Sequence, residues 1–384
     1  MRRRLLALVG AVILVDTMLY AALAPLLPGL RHDLGLTKGG AGVLVGAYAI
    51  GTFLGAIPGG WAAARYGART AVLTGLALMS TAGLAFAFAH SLAALDVARF
   101  IQGLGGACSW TAGLAWIAQE TARERRGEAL GIAIGAGIFG AQFGPVLGTL
   151  ATQIGREAAF AGAAALGVVL AAFVIATPRG PGALAEAQSP PATILRDGRF
   201  RAALWLTVLP SLCFGVVEVL VPLRLDVLGA TAVAIGAIFF VASLFEALVS
   251  PIVGRIADRS GAAAIVRVGT LGAAGGLALL AVPSTAVALA VVLTASCVAL
   301  GSLWVPGGSL VSQRAETLDV DQGWAFAFNN VGWAAGVALG SAGGGALAQS
   351  GGDVLAYGAA AALCLATGVA AIARRPAGPL RSGV

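Results

Sequence analysis

The chain has 384 residues, 59% of them hydrophobic and 11% charged, and a mean hydropathy of +0.91. A soluble domain carries about 25% charged residues, so this composition is that of a membrane protein. Twelve helices of ~20–25 residues take up nearly all of the length and leave no stretch for a soluble catalytic domain, while apolar runs that are continuous rather than alternating exclude a transmembrane β-barrel. The net charge of +7 and pI near 9.9 could suggest a nucleic-acid partner, but the basic residues sort by membrane side instead.

Hydropathy predicts spans at 5–27, 41–63, 70–90, 92–118, 127–151, 156–177, 200–224, 232–254, 264–283, 286–312, 322–349 and 353–373. The first follows three arginines, as in a signal peptide. Its apolar run of about 23 residues exceeds an h-region and carries Asp16, so it reads as an uncleaved membrane helix. An even number of spans puts both termini on one side. With that side cytoplasmic, its segments hold 19 of the 24 Lys and Arg residues. The outer segments hold Arg31, Lys38, Arg156 and Arg224, and Arg99 lies inside the fourth span. This split sets the orientation by the positive-inside rule and accounts for the high pI. The expected setting is the inner membrane of a cell, with the lipid bilayer as surroundings, no nucleic acid bound, and a monomer as the working unit.

Residues 178–199, with Pro178, Pro181, Pro190 and Pro191, divide the spans six and six. They read as a flexible cytoplasmic linker between an N-terminal bundle, 1–177, and a C-terminal bundle, 200–384. The halves repeat at an offset of 194: Pro28 with Pro222, Gly60 with Gly254, Arg65 with Arg259, Gly67 with Gly261, and Trp110 with Trp304. A parallel repeat of this size predicts an all-α fold of two six-helix bundles related by an axis along the membrane normal, with a substrate site at the midplane. Cys108, Cys213, Cys297 and Cys364 all fall in spans and read as small apolar residues. His32 and His90 stand alone in loops. No metal site, cofactor or ATP-binding loop is expected.

Three acids lie deep in the spans: Asp16, Glu218 and Glu246. A carboxylate there costs at least ~2.5–3.5 kcal/mol on insertion scales and marks function by default. Asp16 sits mid-helix with Tyr20 one turn on, on the same face; it serves proton coupling, or hydrogen-bonds a neighbouring helix and fixes packing. Arg99, Gln102, Ser109 and Trp116 share one face of the fourth span and should point inward. The alternative for Arg99 is to snorkel outward or pair with Asp96. Glu218 binds substrate or protons, or pairs with an arginine; Glu246 lines a cavity, or faces the fifth helix. Asn329 and Asn330 are a polar pair in the eleventh span. Tyr20, Trp110, Trp116, Phe139, Phe143, Trp304, Phe326, Phe328 and Trp333 could line a cavity for hydrophobic cations. Gly140, Gly144 and Gly148, beside Pro145, and Gly336, Gly340 and Gly344 form smooth strips suited to close packing and to a sliding contact between bundles.

Longer motifs carry a resemblance. Gly60-Trp-Ala-Ala-Ala64-Arg65-Tyr-Gly67-Ala-Arg69 follows the second span, and Gly254-Arg-Ile-Ala-Asp258-Arg259-Ser-Gly261 follows the eighth. The fourth span holds Arg99-Phe-Ile-Gln102-Gly103, and the fifth holds a glycine-rich run through Gly144-Pro145. These resemble the loop, Arg-x-x-x-Gly and antiporter motifs of the major facilitator superfamily. The first span is similar to that of its twelve-helix drug:proton antiporters and of the vesicular amine transporters. The resemblance implies a transporter that is not an enzyme, with proton-coupled export of small amphipathic or cationic molecules by alternating access. Uptake or export of a sugar, amino acid or lipid by the same fold is the alternative. Taken together, the residue reading and the resemblance assign Asp16, Glu218, Glu246 and Arg99 to proton coupling, and Tyr20, Gln102, Trp110, Trp304, Asn329 and Asn330 to the substrate cavity. Two departures stand out. Asn330 occupies a position that is acidic in the vesicular amine transporters. Ala64 replaces the Asp that helps close the cytoplasmic side, so the resting protein should favour the inward-open state.

Overall fold

A computed structural model describes residues 2–122, 125–178, 191–320 and 322–373, and among them the chain is helical with no strand. Fourteen α-helices make up twelve membrane-spanning elements. The first element is α1 (Arg2–Ala21) and α2 (Leu23–Leu34) end to end. α3 (Lys38–Tyr66), α4 (Ala68–Phe88), α5 (Leu92–Gln119), α6 (Arg126–Ile154) and α7 (Arg156–Ala176) complete the first bundle. The second has α8 (Gly198–Val227), α9 (Ala232–Ser260), α10 (Ala262–Leu279), a split element of α11 (Ala286–Gly301) and α12 (Trp304–Thr317), α13 (Gln322–Gly351) and α14 (Asp353–Ala373). Eleven elements are long and apolar enough to cross a bilayer by length and composition. The remaining one, α5, has the length but carries Asp96, Arg99 and Gln102.

Two predicted spans are broken rather than continuous, for one reason. Proline has no N–H, and its ring clashes with the carbonyl four residues earlier. Pro25 ends α1 at Ala21, and Pro306 interrupts the tenth span at Ser302–Leu303. The repeat is also visible in the caps. The Thr37 hydroxyl accepts from the Gly40 amide at 3.0 Å and Thr231 from Ala234 at 3.2 Å; Ser91 accepts from Ala94 and Thr285 from Ala288, both at 3.3 Å. Each pair is 194 residues apart, as are the positive-φ glycines Gly67 (88°) and Gly261 (81°) that turn the two motif loops.

Within the first half α3 and α4 pack on α5, and α1 packs on α6; within the second, α8 packs on α13 and α10 on α14. The halves meet chiefly through α3 against α13, with α6 against α9 beside them. On the arginine-rich side the described end of the linker, residues 191–197, is tied down. From Pro191 to Arg196 it is a 3₁₀ turn that seats Ile194 among Phe200, Val311 and Ala325. Asp197 then caps α8 through the Phe200 amide at 2.7 Å and grips Arg314 twice, at 2.9 and 2.6 Å. The Arg314 hydrogen bonds, with the Phe200 amide, hold the Asp197 carboxyl well below the usual carboxylate range. A lowered value in the folded state means stability that is present above the ordinary carboxylate range and lost as pH falls through the depressed value. Asp197→Asn should therefore lower the thermal midpoint at pH 7, and the two proteins should converge as the pH is lowered. Parallel pH–midpoint curves would contradict this role.

Candidate functional site

A cavity of about 2310 Å³ lies between the bundles. It runs from the level of Asp16 and Glu218 to the helix ends at Arg65, Arg69, Arg126 and Asp319, the arginine-rich side. The opposite end is shut by contacts between halves. Lys38 Nζ meets Asp353 at 2.5 Å, the Gly39 amide donates to Gln349 at 2.9 Å, and His32 lies 2.9 Å from Asp226.

Asp16 is sealed in the cavity wall, 1% exposed. Its Oδ1 accepts from the Tyr48 hydroxyl at 2.7 Å and its Oδ2 from the Trp110 indole N–H at 2.8 Å. Gly106 makes room for this group, since a Cβ there would sit 2.5 Å from Oδ1 and 2.6 Å from the Tyr48 oxygen. Across the cavity floor Tyr20 donates to Glu218 Oε2 at 2.7 Å, joining the two halves. The Tyr20 ring packs on Tyr48 and Trp333, with centroids at 5.0 and 5.2 Å.

Arg99 neither snorkels nor pairs with Asp96. It is buried, and donates to the Leu19 and Tyr20 carbonyls at 3.0 Å and to Gln102 Oε1 at 2.8 Å. Those carbonyls end α1, where the break before Pro25 leaves the negative end of a helix dipole facing the guanidinium. The guanidinium carbon also sits 5.0 Å from the Tyr48 ring centroid, and its charge reaches both Asp16 and Glu218. One arginine thus stabilises a broken helix and lies electrostatically between two acids. Ser109, on the same face of α5, is turned to α4 and meets Met79.

The second bundle repeats part of this arrangement. Glu246 lies beside the α11–α12 break, in hydrogen-bonding reach of Trp304, and a Cβ on Gly301 would fall 2.5 Å from its Oε1. Its neighbours are therefore in the tenth element, not the fifth helix. Trp304 stacks on Phe214, centroids 6.2 Å apart. Asn329 accepts from Thr207 at 2.6 Å, and it and Asn330 line the cavity.

Other sequence expectations need correction. Phe139 and Phe143 do not line the cavity; they are exposed on the outer surface and pack on each other and on Phe240. The glycine strips are not the sliding contact between bundles. Gly140 and Gly148 abut the Leu14 and Ala22 carbonyls, and Gly144 abuts Ala21, all within the first half; Gly336, Gly340 and Gly344 likewise pack on α8. Pro145 lines the cavity, and its carbonyl faces Gly236 of α9. Close approaches between halves are made by Gly42 and Gly46 of α3 against Ala338, Ser341 and Gly345 of α13, and by Gly236 of α9 against Pro145 and Thr149 of α6. In the motif loops Gly60, Arg65, Gly67 and Arg69 line the cavity mouth, and Arg69 donates to the Ile175 carbonyl. Gly254 lies near Val305, and Arg259 is exposed. The Asp258 side chain lies outside the described set. Tyr48 was absent from the sequence reading; a lone tyrosine hydroxyl in the middle of an apolar span was the available signal.

The sequence model of the Major Facilitator Superfamily matches residues 9–319 and 219–383. The chain belongs to the Major Facilitator Superfamily. Superfamily relatives at the sequence level include the MFS-type transporter ppzB of Metarhizium rileyi, 32% identical over 181 residues, covering 44% of this chain and 37% of that protein. The probable vesicular acetylcholine transporter-B of Danio rerio is 35% identical over 138 residues, 34% of this chain and 28% of that protein. The quinolone resistance protein NorA of Staphylococcus aureus is 28% identical over 151 residues, 39% of this chain and 38% of that protein. The matched segments thus span well under half of these relatives. Two solved superfamily structures share the fold over nearly the whole chain. The human organic anion transporter MFSD10 has a TM-score of 0.72 at 19% identity, covering 96% of this chain and 99% of that one. The Escherichia coli xylose transporter XylE, in a partially occluded inward-open state, has a TM-score of 0.71 at 14% identity, covering 97% of each. Among the described residues the chain has the fold of a multi-pass membrane protein, with twelve helical elements in two pseudo-symmetric bundles.

Proposed function

We propose that the protein exports small cationic or amphipathic molecules in exchange for protons, by rocking its bundles around the cavity. The observation that carries this reading is the floor of the cavity. Asp16 and Glu218 hang from opposite halves within the field of Arg99; Tyr48 holds Asp16, and Tyr20, packed on the Tyr48 ring, holds Glu218. Protonating Glu218 removes a charge from a hydrogen bond that joins the halves at the cavity floor. Protonating Asp16 changes which way the Tyr48 hydroxyl must point. Both events alter how the two bundles fit, which is what coupling to a conformational equilibrium requires.

In this reading the arginine-rich side is cytoplasmic, as are both termini, and the protein works in the inner membrane. The cavity is then open to cytoplasmic substrate. In the membrane-buried part of the cavity three acids, Asp16, Glu218 and Glu246, face one arginine, Arg99, so that part is net negative when ionised and cations should be preferred. The test is a scan of cationic, neutral and anionic compounds in inverted vesicles. The reading expects cations or weak bases to be carried best; a dianion as the best substrate would contradict it.

The inward opening has its own test. Ala64 lies exposed at the cavity mouth, at the motif position of the missing carboxylate. A carboxylate at a facing helix N-terminus contributes roughly 0.3–1 kcal/mol, up to ~2 when partly buried. Ala64→Asp should shift the population outward by up to about tenfold, the equivalent of ~1.4 kcal/mol. Paired distance labels across the arginine-rich face report this, and an unchanged distribution would show that position 64 does not gate.

A further inference from the structure

The three buried acids differ in how they are partnered. Asp16 sits in the cavity wall but is 1% exposed, and each of its oxygens already accepts a hydrogen bond, from Tyr48 and from Trp110. Glu218 gives one oxygen to Tyr20 and lies in the field of Arg99. Glu246 is different. Like Glu218 it is partly exposed and lines the cavity, but it lies outside the field of Arg99 and away from Tyr20. The described ion pairs are His32–Asp226, Lys38–Asp353, Arg125–Glu128 and Arg314–Asp197, and none involves it. Its side chain meets a neutral donor, Trp304, and the bare backbone of Gly301. Beside it Trp304 and Phe214 present stacked aromatic rings to the same cavity.

An accessible carboxylate without a cation, next to aromatic faces, is the chemistry that recognises an organic cation. Resting on the export reading, we infer that Glu246, Trp304 and Phe214 form the subsite for the positively charged group of the substrate, while Asp16 carries a proton and never touches substrate. Glycine at 301 belongs to the subsite, because any side chain there would displace the carboxylate.

The division is read by binding rather than transport. The full-length protein in detergent is titrated with tetraphenylphosphonium and, separately, with ethidium at pH 8. Glu246→Gln should weaken binding at least about tenfold, the equivalent of ~1.4 kcal/mol, and Glu246→Asp should restore most of it. Trp304→Phe should also weaken binding. Asp16→Asn should keep the affinity within about threefold, or ~0.6 kcal/mol. Thermal midpoints confirm that each variant is folded, and the Asp variant decides the matter should the Gln variant unfold. Wild-type affinity in Glu246→Gln, no rescue by Glu246→Asp, or a loss in Asp16→Asn as large as that in Glu246→Gln would overturn the inference while leaving the export reading standing. A wild-type protein that binds neither cation but binds anions would remove the export reading itself.

Discussion

Asp16→Asn is expected to fold and to bind substrate, yet to lose pH-driven transport by about 100-fold or more, equivalent to ~2.7 kcal/mol. The hydrogen bonds explain why the substitution is clean. Ionised Asp16 accepts from both Tyr48 and Trp110. The indole N–H can only donate, but a tyrosine hydroxyl can turn and accept. Asparagine can therefore keep its oxygen on Trp110 and donate its amide to Tyr48, which is also the pattern a protonated Asp16 would adopt. The variant is thus held in an imitation of the protonated state and cannot cycle. Tyr48→Phe should fail differently, because it removes the group that adapts to both states. Counterflow of substrate without a pH gradient, compared with gradient-driven flux, separates loss of coupling from loss of the carrier. Full gradient-driven flux by Asp16→Asn would remove Asp16 from the coupling machinery.

Gly42→Val should have the second large effect, on the equilibrium between conformations. A Cβ at position 42 would collide with the Ser341 carbonyl and lie 3.2 Å from Gly345 Cα, so α3 and α13 could no longer close on the side away from the arginines. Overpacking of this kind costs typically 1–3 kcal/mol, which corresponds to a population shift of roughly 5- to 150-fold. Because the clash exists only with that side shut, the cost falls on the conformation described here and the protein should open outward. Gly343→Ala is the control, since nothing lies within 4 Å of its added carbon. Distance labels on that face should broaden to longer separations in Gly42→Val and not in the control. Equal distributions would show that the α3–α13 approach is not the gate.

Much of this architecture was legible in the sequence, and the exceptions share a cause. The spans, the repeat and the three acids follow from hydropathy and from residues 194 apart, because a bilayer penalises charge and exposed backbone wherever they occur. Trp110 and Trp304 stood out as a repeated pair, and each proves to face a carboxyl group. The carboxyls themselves come from non-equivalent helices, α1 and α9, which no repeat could disclose. The breaks before Pro25 and Pro306 were written in the chain, but a proline in a membrane helix can bend it or end it according to what satisfies the freed carbonyls. In α1 it is Arg99, 80 residues away from Leu19, that does so. The glycine strips were visible as strips, while the partner of each strip depends on tertiary packing. Hence contacts between bundles fell to Gly42 and Gly46, whose spacing of four is no different from the others, and to Gly236.

The most direct measurement places the purified protein in liposomes with a lumenal pH dye, clamps the membrane potential, and imposes a gradient of tetraphenylphosphonium with no pH gradient. The account predicts that cation efflux down its gradient drives protons the opposite way, and that Asp16→Asn abolishes the proton movement. Cation flux in the wild-type protein with no accompanying change in lumenal pH would contradict it.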